Sequence, residues 1–261
     1  MCTLLFAHRA HPDLPLVIAA NRDEFYGRET APADRWRDAP GVIGGRDLEG
    51  GGTWLAVHED GRWAALTNVR EPGRVIAGAP SRGALVRDFL IEKRRTPGAY
   101  VVDVEAKKAA YNGFNLVVGD FAAGTVFYVS NRGGPPTPVM PGVHGVSNAL
   151  LDSAWPKVTR GRHRLAAVVA RGASLEERDI FALLGDKTQA PDDELPDTGV
   201  GLEWERRLSP IFLQLDGVDY GTCSSTLVTV AAGGTVRFVE RTVSPRASAG
   251  ERWFTLAAPA R

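Results

Sequence analysis

Thr3-Leu4-Leu5-Phe6-Ala7, then His11-Pro12-Asp13, then Leu16-Val17-Ile18-Ala19-Ala20-Asn21-Arg22-Asp23-Glu24: this opening stretch sets the architecture. Two apolar runs on either side of a Pro-Asp turn read as an antiparallel hairpin. Such a hairpin returns Asn21-Arg22-Asp23-Glu24 to the neighbourhood of Cys2, at the head of the first strand. The same form recurs. Residues 227–232 and 235–240 flank Gly233-Gly234, the clearest hairpin turn in the chain. Residues 52–58 and 62–68 flank Glu59-Asp60-Gly61, and 114–118 and 125–129 flank a turn around Asp120 and Gly124.

Helical periodicity lies in the middle of the chain. Residues 82–94 carry Leu85, Val86, Phe89 and Leu90 on one stripe, with Ser81 placed as N-cap and Pro97 as terminator. Residues 156–171 repeat the pattern, with Pro156 at the start and Gly172 past the end. A third helix opens at Ser174 and runs to about Leu184, and residues 185–201 read as a long exposed loop. Strands, helices, strands, helices and strands in that order predict an α+β layered sandwich with antiparallel sheets. No repeat or linker interrupts it, so residues 1–261 read as a single domain.

The 31 basic and 31 acidic side chains cancel. The chain therefore lacks the basic excess that nucleic acid or an anionic membrane calls for. Hydrophobic residues at 44% and charged residues at 24% exclude bulk disorder. Its 29 glycines and 17 prolines favour a turn-rich fold over a helical bundle. The apolar runs fall far short of the ~20 residues a spanning helix needs. The N-terminus turns polar at His8-Arg9, too early for a secretory signal. Two cysteines, Cys2 and Cys223, are too few for a disulfide scaffold, so the expected setting is cytoplasmic.

Several chemistries lack their motifs. There is no G-x-x-x-x-G-K-[ST] and no G-x-G-x-x-G after a strand. Gly44-Gly45-Arg46-Asp47-Leu48-Glu49-Gly50-Gly51-Gly52 is followed by a strand and reads as a flexible loop near a site. His8, His11, His58, His144 and His163 are scattered, with no H-E-x-x-H or C-x-x-C, so no metal is expected. G-x-S-x-G is absent as well.

Cys2 remains. A cysteine is small enough to permit removal of the preceding methionine, which leaves it with a free α-amine of reference pKa about 7.7–8.0. One residue then supplies both nucleophile and general base. Asp23 is placed to orient that amine, and Arg22 to pair the carboxylate or bind a substrate anion. Asn68, at a strand end in Thr67-Asn68-Val69-Arg70, and Asn148, in Val146-Ser147-Asn148-Ala149, are amide donors of the kind an oxyanion hole uses. Asn21, Arg22, Arg70 and Trp54 complete the candidates as substrate contacts.

A series of motifs in order carries a family resemblance. Met1-Cys2-Thr3, Asn21-Arg22-Asp23-Glu24, Gly44-Gly45-Arg46-Asp47, Gly52-Thr53-Trp54-Leu55, Thr67-Asn68-Val69-Arg70 and Ser81-Arg82-Gly83 come first. Tyr111-Asn112-Gly113-Phe114-Asn115-Leu116, Ser147-Asn148-Ala149-Leu150-Leu151-Asp152, Trp155-Pro156-Lys157-Val158 and Tyr220-Gly221-Thr222 follow. Together they resemble the NRDE family over residues 1 to about 230. The resemblance implies an αββα sandwich of the N-terminal-nucleophile hydrolase type, two antiparallel sheets between helical layers. More remotely, the chain is similar to choloylglycine hydrolases and penicillin V acylases, which implies catalytic roles for Cys2, Asp23, Asn148 and Asn68. It departs from them twice. The arginine they carry before the Asp would fall at Ala19 or Ala20, unless Arg22 serves from a shifted position. Their late-strand arginine is missing, and Cys223 stands where NRDE relatives more often have Arg.

Two functional readings follow. One is a cysteine N-terminal-nucleophile hydrolase acting on a small amide or thioester, with no cofactor. The alternative is a non-enzymatic carrier that holds an acyl chain, acyl-CoA, lipid or haem in the same cleft. For haem, His8, His58, His144 and Cys2 are the available axial ligands. Neither reading fixes an oligomeric state.

Overall fold

The computed structural model describes residues 2–92 and 95–257. Met1, and the last two residues of the helix expected over 82–94, lie outside the described residues. The opening hairpin forms as expected, from β1 (Cys2–His11) and β2 (Leu14–Phe25). Its register sets Cys2 opposite Arg22 and Thr3 opposite Asn21. There follow β3 (Thr30–Arg35), β4 (Val42–Asp47), β5 (Leu55–His58) and β6 (Arg62–Asn68). Next come α1 (Gly83–Ile91), α2 (Pro97–Lys107), β7 (Phe114–Asp120), β8 (Thr125–Ser130), β9 (Thr137–Pro138) and β10 (Gly142–Val146). The chain continues through α3 (Pro156–Val169), α4 (Glu177–Leu184) and α5 (Leu202–Leu208) to β11 (Tyr220–Val230), β12 (Thr235–Thr242) and β13 (Gly250–Ala257).

The strands make two antiparallel sheets, ordered β10-β1-β2-β11-β12-β13 and β3-β4-β5-β6-β7-β8-β9. Side chains alternate across each strand. On β1, Leu4 and Phe6 enter the core between the sheets with Trp54, Trp63 and Phe238. Leu5 and Ala7 face Leu165, Val169 and Ile180 of the α3–α4 layer. On the other sheet, Leu116 and Val118 pack against Leu85, Phe89 and Tyr100 of α1 and α2. The layers are therefore α, β, β, α, with each sheet apolar on both faces.

Three local expectations need correction. Ser81 does not cap α1: Arg82 is the N-cap residue and no side chain caps it, while the Ser81 carbonyl accepts from Ala84 N–H at 3.1 Å. Pro97 starts a helix rather than merely ending one, because Thr96 caps α2 and the proline ring fits the first turn. The glycine-rich stretch is half strand: Gly44 to Asp47 belong to β4. A Cβ on Gly45 would run into the Trp54 ring, so that glycine serves a close approach rather than flexibility. Past the loop expected over residues 185–201, the chain also forms α5, a helix the sequence did not announce, with acids in its first turn and arginines in its last.

Candidate active site

Cys2, partly exposed at the end of β1, opens into a cavity of about 830 Å³. Asn68, Arg22, Arg82, Trp54 and Tyr220 share its wall, and Phe25, Trp204, Leu208 and Val218 give it an apolar portion. Ser147, just past β10, places its hydroxyl 3.0 Å from the Cys2 carbonyl and fixes that main chain. Burial pushes the Cys2 thiol up, as does the Asp23 charge, while Arg22 and the Asp23 main-chain N–H pull it down.

Arg22 lies directly across the sheet from Cys2, so the two side chains share a face. It is 5% exposed, its guanidinium sits 4.5 Å from the Trp54 ring centroid, and it makes no ion pair among the described residues. A buried cation without an anion is costly, and it is available to a ligand. Ala19 and Ala20, where the remote relatives' arginine would align, are core residues on opposite faces of β2.

Asp23 is fully buried. Thr222 Oγ1 donates to its Oδ1 at 2.7 Å, and the Tyr220 hydroxyl donates to its main-chain carbonyl at 3.2 Å. Burial raises its carboxyl, and the Lys157 charge works against that rise. Lys157 is itself 2% exposed, its Nζ finds no hydrogen bond among the described residues, and burial brings it down to about 8. Asp23, Cys2 and Glu205 each raise it, which places the three acids and this amine in one electrostatic cluster.

Asn148 and Asn68 are joined, but not as equals. Asn148 donates one Nδ2 hydrogen to the Asn68 carbonyl at 2.9 Å and is 1% exposed. Asn68 lines the cavity, and its own side-chain amide makes no hydrogen bond among the described residues.

Two predicted substrate contacts are committed elsewhere. Asn21 is fully buried, donates to the Leu184 and Ile211 carbonyls at 2.8 and 2.9 Å, and accepts from Ser225 at 2.7 Å. It ties β2 to the helical layer and is no substrate contact. Arg70 pairs with Glu205 at 2.5 Å, both buried, and stacks on Trp155. Its charge is already matched, so it is not a free anion clamp. Lys157, Thr222, Tyr220 and Arg82 stand in the quoted motifs but not among the predicted site residues. Arg82 lines the cavity and donates to the Gly113 carbonyl at 3.1 Å. Cys223 sits in a β-bulge opposite β2, away from this cavity, and burial pushes its thiol up to about 11.

The family model for Transport and Golgi organisation 2 matches residues 1–245. The chain belongs to that family. The Transport and Golgi organization protein 2 homologs of Bos taurus and Homo sapiens are 36% and 34% identical to it. The bovine match covers 98% of this chain and 97% of the relative, and the human match 93% of each. The Drosophila melanogaster family member is 31% identical, over 94% of this chain and 93% of its own. Among solved structures, the C2A mutant of conjugated bile acid hydrolase from Clostridium perfringens superposes with a TM-score of 0.54 at 10% identity. That match covers 98% of this chain and 92% of the other. The N-acylethanolamine-hydrolyzing acid amidase ortholog of Caenorhabditis elegans gives 0.51 at 13% identity, over 89% and 93%. This member of the Transport and Golgi organisation 2 family thus has the αββα fold of N-terminal-nucleophile hydrolases. Among the described residues no helix is long and apolar enough to cross a membrane.

Proposed function

We propose that the protein is a cysteine hydrolase that cleaves a small amide or thioester at Cys2. The observation that carries this reading is the Cys2 thiol at a cavity wall, with an Asn68 amide and an Arg22 guanidinium on the same wall that make no hydrogen bond and no ion pair, respectively, among the described residues. Removal of Met1 frees the Cys2 α-amine. As the sulfur attacks the substrate carbonyl, the thiol proton passes to that amine, which suits a thiol held un-ionised by burial. The Asn68 Nδ2 hydrogens stabilise the oxyanion, and Asn148 positions the Asn68 main chain. The ammonium then protonates the departing amine or thiol, leaving a thioester on Cys2. Water, deprotonated by the same amine, hydrolyses it to the free acid and restores the thiol. Asp23 orients the amine, and Lys157 favours the ionised form of Asp23.

The test is a panel of amides and acyl thioesters presented to the wild-type chain and to Cys2→Ala. Turnover that disappears with the thiol is expected, and turnover that survives it contradicts the proposal.

The carrier reading draws on the apolar part of the cavity, Phe25, Trp204, Leu208 and Val218. For haem, Cys2 is the one of its four ligand candidates that lines this cavity. His144 is engaged by Asp152 and the Met140 carbonyl, and His58 by the Asp60 N–H. A Soret band on haem titration that is lost in Cys2→Ala would favour the carrier.

A further inference from the structure

A second cavity, of about 730 Å³, adjoins the first, and Arg22, Arg28 and Trp54 line both. The strand registers connect the two. Cys2 on β1 faces Arg22 on β2, Arg22 faces Ser224 on β11, and Ser224 faces Thr242 on β12. Residues opposite one another across a sheet share a face, so these four form one row. The row starts beside the first cavity at Cys2 and ends beside the second at Ser224 and Thr242. Neighbouring strands are about 4.8 Å apart, which puts Ser224 about 10 Å from Cys2.

The second cavity has unmet polar groups. Ser224 is 7% exposed and its hydroxyl has no hydrogen-bond partner among the described residues. Arg22, 5% exposed, offers a guanidinium with no ion pair among the described residues. Glu240 also lines the cavity, but its two carboxyl oxygens already accept from Ala33 N–H and Thr226 Oγ1. Burial keeps that carboxyl protonated up to about 7, so it opposes an incoming anion only weakly below that pH. Leu48, Pro32 and Trp54 supply apolar wall beside these polar groups.

We propose that the second cavity binds the anionic head of an amphiphilic ligand, a carboxylate or a phosphate, through Arg22 and Ser224. Resting on the hydrolase reading, it further assigns the substrate's reactive carbonyl to a position about 10 Å from that head. Trp54 orders the guanidinium that joins the two chambers.

Binding is tested on the full chain carrying Cys2→Ala, so that the result does not depend on the thiol. Calorimetric titration with octanoate, octyl phosphate and uncharged octyl glucoside should show one or both anions bound and the glucoside not. The better anion identifies the head group. Arg22→Gln should weaken anion binding tenfold or more, and Ser224→Ala severalfold, with unchanged circular dichroism. No binding of either anion, equal binding of the glucoside, or undiminished binding by both variants overturns the proposal. The spacing is tested on the wild-type chain with ω-carboxyacyl 4-nitroanilides of increasing length. An optimum where carbonyl and carboxylate lie about 10 Å apart supports it, and a flat length profile contradicts it. Absence of turnover with every anilide counts against the hydrolase reading, while the calorimetry still decides the site.

Discussion

Burial holds the Cys2 thiol protonated, so the pH dependence of any reaction here belongs to its partners. A free α-amine acts as base only when neutral, so kcat/KM should rise with pH through about 8. Lys157→Met removes the charge that counters the rise in the Asp23 carboxyl. The acid limb of the profile should then move to higher pH; an unmoved limb means Lys157 does not reach Asp23 electrostatically. Glu240 carries a stability prediction. Its carboxyl is raised to about 7 in the folded chain against an ordinary value near 4.3 in the unfolded one. The folded state thus binds more protons between those values, and stability falls as pH rises through them, by on the order of 3 kcal/mol. Glu240→Gln keeps an acceptor for Ala33 N–H and does not ionise. Urea denaturation should find the variant increasingly more stable than wild type from pH 4.5 to 8, and parallel curves would refute that.

At the scale of elements, the junction of β2 with the helical layer depends on Asn21. Asn21→Ala strands the Leu184 and Ile211 carbonyls and the Ser225 hydroxyl, and should cost on the order of 3 kcal/mol in denaturant unfolding. Gly45→Ala should cost about 1–3 kcal/mol, since its Cβ displaces the Trp54 ring. The opening hairpin was legible because two apolar runs and a Pro-Asp turn fix strand pairing locally, and with it the return of residues 21–24 to Cys2; the register then sets Arg22 opposite Cys2. The fates of Asn21 and Arg70 were not legible. Each is decided by partners 135 to 204 positions away, Glu205 for Arg70 and Leu184, Ile211 and Ser225 for Asn21. Lys157 read as part of a motif, and only the packing of α3 against β1 shows it to be a buried amine beside Asp23. The β4 strand stayed hidden because its glycines, placed for close packing, look like a loop in one dimension.

Over the whole molecule, the layered sandwich buries both faces of each sheet and leaves chemistry to the strand ends, where Cys2, Asn68 and Tyr220 meet. With no net charge, the protein offers no long-range attraction to an anion. Selectivity must come from individual cations, and Arg22, buried on the cavity wall with no ion pair among the described residues, is placed to supply it. The proposed chemistry also demands a change in the chain itself, since an α-amine tied in a peptide bond accepts no proton. Intact-mass spectrometry, before and after exposure to an acylating amide or thioester, reads both requirements at once. The expected result is a chain lacking Met1 that gains a single acyl group, localised to Cys2 and absent from Cys2→Ala. A chain that retains Met1, or one acylated only at Cys223 or not at all, would contradict it.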